Sequence, residues 1–114
     1  MIIKSFEEII AWQKARELNI FIYKEFRSCK DFSFRDQIQR SSVSIMNNIA
    51  EGFERQSNKE FKNFLFIAKG SCAEVRSMLL LGSDLNYISL QQFKENYGLT
   101  TEISKLLSGL IKTL

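Results

Sequence analysis

Apolar residues recur at three- and four-residue intervals in four stretches of this sequence, the spacing that gathers them on one face of an α-helix. The first stretch, residues 6–28, carries Ala11, Trp12, Ala15, Leu18, Ile22 and Phe26. The second, 34–52, carries Ile38, Ile45 and Ile49, with Phe53 closing the stripe and Gly52 as a natural C-terminal stop. The third and longest, 58–86, carries Phe61, Phe64, Leu65, Ala68, Cys72, Val75 and Leu79. The fourth, 90–113, uses Ile103, Leu106, Leu107, Leu110 and Ile111, with Leu114 beyond it.

Each stretch opens on a helix start signal. In a capping box, Ser or Thr is followed three residues later by Glu or Gln, and each side chain satisfies the other's backbone N–H. Ser5 with Glu8, Ser57 with Glu60, and Ser89 with Gln92 fit, while Ser33 with Asp36 is a version with a shorter acid. Connections of a few residues make sequential helices antiparallel neighbours. The pattern predicts an all-α fold, an antiparallel up-down-up-down four-helix bundle, as one domain over residues 1–114.

Composition narrows the chemistry. At 114 residues and 45% hydrophobic, the chain can bury a core without a metal or disulfide. It has no proline, so the commonest helix breaker is missing, and no histidine, so the usual general base and commonest metal ligand are missing too. Cys29 and Cys72 form neither a disulfide framework nor a zinc pattern and read as reduced thiols. No Gly-rich phosphate loop, nucleophile elbow or carboxylate dyad is present, so no catalytic residue, metal, cofactor or small-molecule substrate is expected. The N-terminus is too short and acidic for a signal peptide, and no apolar run approaches membrane-spanning length. A cytoplasmic location with no membrane partner is expected. A net charge of +3 permits a polyanionic partner without requiring one.

Two polar patterns remain once the core is assigned. On the second helix Gln37, Arg40, Ser41, Ser44, Asn48, Glu51 and Arg55 form a stripe about a right angle from the isoleucines, at roughly 100° per residue. Short hydroxyls and amides suit fixed hydrogen bonds better than a solvated face does. The stripe is either a buried network that fixes helix register or a subunit interface, or a ligand or nucleic-acid contact. Arg40 and Gly70 are equidistant from the turn near Arg55, which predicts a guanidinium crossing over a closely packed glycine and an Arg40–Glu74 ion pair.

On the third helix Lys62, Lys69 and Arg76 recur every seven residues with Lys59 one turn earlier, a basic rail about 20 Å long. Phe66, Ala73 and Leu80 run beside it as a second apolar seam, for which oligomerisation is the simplest explanation. The rail is either a phosphate-neutralising surface without sequence readout or a solvated flank whose lysine stems cover the seam.

The stretch from Gln37 to Arg55, with its Ser44-x-x-x-Asn48-Ile49-Ala50-Glu51-Gly52 core, resembles the signature of the four-helix-bundle proteins encoded in 23S ribosomal RNA intervening sequences. Phe6-Glu7-Glu8 leading to Trp12-Gln13-Lys14-Ala15, Ala68-x-Gly70-Ser71-x-x-Glu74, and Leu85-Asn86-Tyr87-Ile88 agree in the expected order. The resemblance implies an antiparallel four-helix bundle that assembles into homopentameric rings, with no established catalytic activity. Members are often labelled ribosomal proteins because of where the gene was first noticed. A more distantly similar bundle is the accessory protein of diversity-generating retroelements, thought to bind nucleic acid and the reverse transcriptase.

Carried over by position, the signature residues are Gln37, Arg40, Ser44, Asn48, Glu51, Gly52, Arg55, Ser71 and Glu74. Three departures stand out: Met46 replaces a common proline, Ser41 and Ser42 replace small apolar residues, and Gln39 replaces a frequent basic one. The last weakens a nucleic-acid reading of that face. The expected function is a non-enzymatic homo-oligomeric binding module, with RNA or DNA as first partner through Lys59, Lys62, Lys69 and Arg76, and Phe66, Ala73 and Leu80 at the subunit interface. The alternative is a protein-interaction scaffold whose polar stripe is purely structural.

Overall fold

A computed structural model describes residues 2–114. A short 3-10 turn, Phe6–Glu8, precedes α1 (Ile10–Glu25), α2 (Phe32–Phe53), α3 (Asn58–Asp84) and α4 (Leu90–Lys112). Each helix packs against its neighbours in sequence and α1 closes against α4, which makes the predicted up-down-up-down bundle. Its extents of 43 × 22 × 19 Å match the length of α3, about 40 Å at 1.5 Å per residue.

The apolar stripes meet along the axis. Ala15, Leu18, Ile22, Ile38, Ile45, Ile49, Leu65, Ala68, Cys72, Val75, Leu79, Ile103 and Leu107 are all fully buried. Trp12, Phe53, Phe64, Leu106, Leu110, Ile111 and Leu114, read as core residues, are only half-buried. Leu114 lies past the end of α4, and the others lie at the margins of the buried stripes or near the helix ends.

Three of the four start signals differ in detail from the sequence reading. Ser5 and Glu8 do form a capping box, but it caps the 3-10 turn; Ile9 then leaves helical geometry at ψ 119° and α1 begins at Ile10. Phe6 packs edge-on against Trp12 at 5.1 Å, which fixes the entry angle. The α2 cap is Asp31, two residues before Ser33, because its Oδ1 accepts the Phe34 N–H at 3.1 Å. Its Oδ2 accepts the Tyr87 phenol at 2.7 Å, and this bond, followed by that from Phe34, holds the Asp31 carboxyl below its ordinary range. One carboxylate thus ties the α1–α2 turn to the α3–α4 turn. Ser57 accepts the Glu60 N–H at 3.2 Å, with the reciprocal half of its box unmade. Ser89 and Gln92 complete theirs.

α3 stops at Asp84 rather than at 86. Asn86 adopts a left-handed conformation, φ 61°, and donates to Ser83 O at 3.1 Å while Tyr87 N donates to Gly82 O at 2.8 Å. That pair of bonds is a Schellman C-cap with Asn in the place usually taken by Gly.

A buried polar lock joins α1 to α2. Ser42 Oγ donates to Asn19 Oδ1 at 2.9 Å, and Asn19 Nδ2 donates to Ser42 O at 3.1 Å and Ala15 O at 3.0 Å. Every polar atom of the Asn19 side chain has a partner, which is what makes its burial tolerable. Ser42→Ala leaves Asn19 Oδ1 unpaired in a site closed to water. It is expected to lower unfolding stability by about 1–3 kcal/mol in urea titration, more than the loss of one exposed hydroxyl would cause.

Candidate functional site: the two grooves flanking α3

Among the described elements, α3 lies closest to α2 and α4. Its buried stripe therefore has one flank facing each neighbour. Phe64, Ser71 and Met78 share a half-buried flank, and the bond between Ser71 Oγ and Ser44 Oγ, 2.9 Å, identifies it as the α2 side. About 160° round the helix, at 100° per residue, Lys62, Lys69, Arg76 and Ser83 form the other half-buried flank, toward α4.

The α2–α3 groove is open, encloses about 530 Å³, and is lined by Gln37, Arg40, Ser41, Val43, Ser44, Asn47, Asn48, Ser71 and Glu74. Six of the nine signature residues meet there. Arg40 Nη2 donates to Gln37 Oε1 at 3.1 Å, Gln37 Nε2 donates to Glu74 Oε1 at 2.7 Å, and Ser41 Oγ donates to the same carboxylate oxygen. Asn48 Nδ2 donates to Ser44 O at 2.8 Å and to Ser44 Oγ at 3.0 Å. The expected Arg40–Glu74 ion pair is absent from the pairs formed within 4.0 Å among the described residues, and Gln37 relays between the two instead.

The remaining signature residues lie towards the α2–α3 turn. Arg55 Nη2 pairs with Glu51 Oε1 at 3.0 Å and lies 4.8 Å over the Phe64 ring. Gly52 is the close approach: a Cβ added there would fall 2.5 Å from Phe64 Cβ and 3.1 Å from Phe61 Cδ1. Close packing was expected at Gly70, but Gly70 is exposed and a Cβ there would meet nothing within 4 Å. The close approach lies near the turn, at Gly52, while Gly70 stands on the face of α3 that turns away from α2.

The bonds from Ser41 and then Gln37 hold Glu74 below the ordinary glutamate range. A lowered carboxyl pKa adds stability above the unfolded value and loses it as pH falls through the folded value. Ser41→Ala is therefore expected to raise the Glu74 pKa toward that of a free glutamate, as read by a carboxyl-carbon NMR titration. An unchanged midpoint would remove Ser41 from the network. Sequence reasoning placed Ser41 on the stripe but missed its role; its position four residues from Gln37, on the same face, was the available signal.

The α3–α4 groove has the opposite chemistry. On α4, Glu102 pairs with Lys14 of α1 at 3.4 Å, so the flank of Leu99, Glu102 and Leu106 faces α1. The other flank, Phe93, Tyr97, Thr101, Ser104 and Ser108, is half-buried throughout and faces α3. Cys72 Sγ lies 3.1 Å from Thr100 O, which sets the antiparallel register: Arg76 is level with Tyr97 and Lys69 with Ser104. Within the two helices, Glu60 and Glu74 lie on the α2 side of α3, and Glu95 and Glu102 lie on the α1 side of α4. Asp84 sits at the very end of α3.

No carboxylate flanks the rail along its length, and none of Lys59, Lys62, Lys69 or Arg76 enters the ion pairs formed among the described residues. Cys72, buried beneath, has its thiol pushed up to about 11 by desolvation despite Arg76 nearby, so it is neutral and unreactive at neutral pH.

Exposed apolar residues lie beside the rail on α3. Phe66 is 53% exposed and Leu80 48%, with Ala73 exposed between them; Ile67 and Leu81 are exposed elsewhere on the outer side of the helix. At the opposite edge of the bundle, an apolar cavity of about 590 Å³ lies between the start of α1 and the end of α4. Its two carboxylates are engaged, Glu8 with the backbone of Lys4 and Ser5 and Glu102 with Lys14. No cluster of metal-ligating side chains occurs among the described residues. No helix of the described chain is long and apolar enough to cross a membrane.

With this geometry in hand, comparison with known proteins is direct. The family model of the 23S rRNA-intervening sequence protein matches residues 7–109, nearly the whole bundle. The chain belongs to that family. A crystal structure from Bacteroides thetaiotaomicron, described as a protein with unknown function from the S23 ribosomal protein family, superposes with a TM-score of 0.85 at 34% identity. It covers 90% of this chain and 99% of its own. No curated protein matches. Family membership thus accounts for the fold and assigns no activity.

Proposed function

We propose that this member of the 23S rRNA-intervening sequence protein family is a non-enzymatic, homo-oligomeric binding module that holds an RNA or DNA strand along the α3–α4 groove. The observation that carries this is the segregation of charge: Lys62, Lys69 and Arg76 line a groove free of carboxylates, and no ion pair holds them. Unpaired cations at a spacing of about 10 Å suit a polyanion, whose released counterions supply the affinity. In the α2–α3 groove, in contrast, Gln37, Ser41 and Glu74 bond to one another and Ser44 to Asn48 and Ser71, which favours a structural role for those members of the stripe.

Fluorescence anisotropy at several salt concentrations tests the proposal. With three rail cations, and Lys59 as a fourth at the edge, log K is expected to fall with log salt at a slope of about −2 to −3 per chain for a single strand. Lys69→Gln should reduce the slope by about 0.7 and weaken different sequences alike. No binding at low salt would return the rail to a solvated flank and leave the protein-interaction scaffold as the reading.

The exposed α3 seam supports self-association, with the homopentameric ring of the family resemblance as the expected form. Light scattering is expected to give a mass several times the 13.3 kDa chain at micromolar concentration. Phe66→Glu or Leu80→Glu should lower that mass to the monomer while far-UV circular dichroism stays helical. A wild-type monomer would defeat this part of the proposal.

A further inference from the structure

Resting on the nucleic-acid reading of the α3–α4 groove, we infer that the strand it takes is single, with an unpaired base stacking on Tyr97. Phe93 and Tyr97 are the aromatic residues on the α3-facing flank of α4. Phe93, one turn earlier, packs against the core, whereas Tyr97 is half-buried in the groove flank without joining the core cluster. Its hydroxyl makes no hydrogen bond among the described residues, so no internal partner accounts for the ring's place. The ring is nonetheless held: it leans on Phe93 with centroids 5.3 Å apart and planes 39° from parallel. A buttressed ring loses little freedom when a base stacks on it.

The cations complete the site. The register set by Cys72 and Thr100 places Arg76 level with Tyr97, and Lys69 lies two turns along α3 from Arg76. A strand whose phosphates are neutralised at Arg76 and Lys69 passes Tyr97 at the Arg76 level, where one base can lie over the ring. Stacking on aromatic side chains within a basic groove is how sequence-tolerant single-strand binders work, since every base has a π-face. Helices packed as neighbours lie about 8–10 Å apart, so the groove between them is narrow. A duplex could rest phosphates on the rim, but its bases, paired and stacked inside the helix, could not reach the ring. Tyr97 therefore adds nothing to duplex binding and a full stacking contact to a single strand.

The test compares a short mixed-sequence RNA strand with the duplex it forms with its complement, by anisotropy, on the full chain and its variants. The single strand is expected to bind more tightly than the duplex. Tyr97→Ala should weaken single-strand binding about ten-fold. It should leave the salt slope unchanged, because stacking releases no counterion. Tyr97→Phe and Tyr97→Trp, which keep a ring, should bind the strand as the parent does, and circular dichroism checks that each variant is folded. A duplex bound as tightly as the strand overturns the inference while leaving the polyanion reading intact. So does a Tyr97→Ala variant that is folded and binds the strand unchanged. Failure of both probes to bind at low salt removes the polyanion reading itself, and this inference with it.

Discussion

The close approach of α2 to α3 at Gly52 is the contact from which the rest of the surface follows. With no side chain there, α2 lies against Phe61 and Phe64, and any Cβ would collide with Phe64 Cβ. From that point the two helices run antiparallel, with Ser44 meeting Ser71 and Ser41 meeting Glu74. Polar groups brought this close must satisfy one another, and the Arg40–Gln37–Glu74–Ser41 chain does so. Once the α2 side of α3 is fixed, the flank of Lys62, Lys69 and Arg76 has only α4 to face.

That placement sorts charge as well as shape. Glu74 is drawn into the α2 network, and Glu102 into a pair with Lys14 across the α1–α4 contact. Both carboxylates serve internal contacts on faces that turn away from the α3–α4 groove. What remains in that groove is cationic, hydroxylic and aromatic. A small net charge of +3 therefore understates the local field, because the acids that balance the total are elsewhere. The same geometry puts the apolar seam of Phe66, Ala73 and Leu80 next to the rail, so a neighbouring copy seated on the seam would run along the edge of the groove.

Much of this was legible in the sequence. Four apolar stripes of helical period gave four helices, and the Ser44-to-Gly52 motif placed the chain in its family, since both signals are local and repeated. The rail and seam were legible as heptad spacings, yet their surroundings were not, because which flank faces which neighbour is settled by tertiary contact. Helix ends moved for the same reason. Asp31 displaced Ser33 as a cap through Tyr87, which lies in a different turn. The Asn19–Ser42 lock was hidden because each residue alone reads as a polar interruption of a core stripe. Gly70 was misread because distance from the turn gives a level along the helix and not a face: at 100° per residue Gly70 points away from the buried stripe of α3. Tyr97 carried no motif at all; it stands out only once its half-buried flank and free hydroxyl are known.

Lysine footprinting with and without a nucleic-acid strand tests the central claim, that the α3–α4 flank is the contact surface. Each chain is modified by a lysine-acylating reagent and mapped by mass spectrometry, so oligomerisation affects both samples alike. The account predicts that the strand protects Lys62 and Lys69 while Lys14, Lys24 and Lys30, on α1 and the turn after it, are modified as before. Equal modification of Lys62 and Lys69 in a strand-bound sample would contradict it.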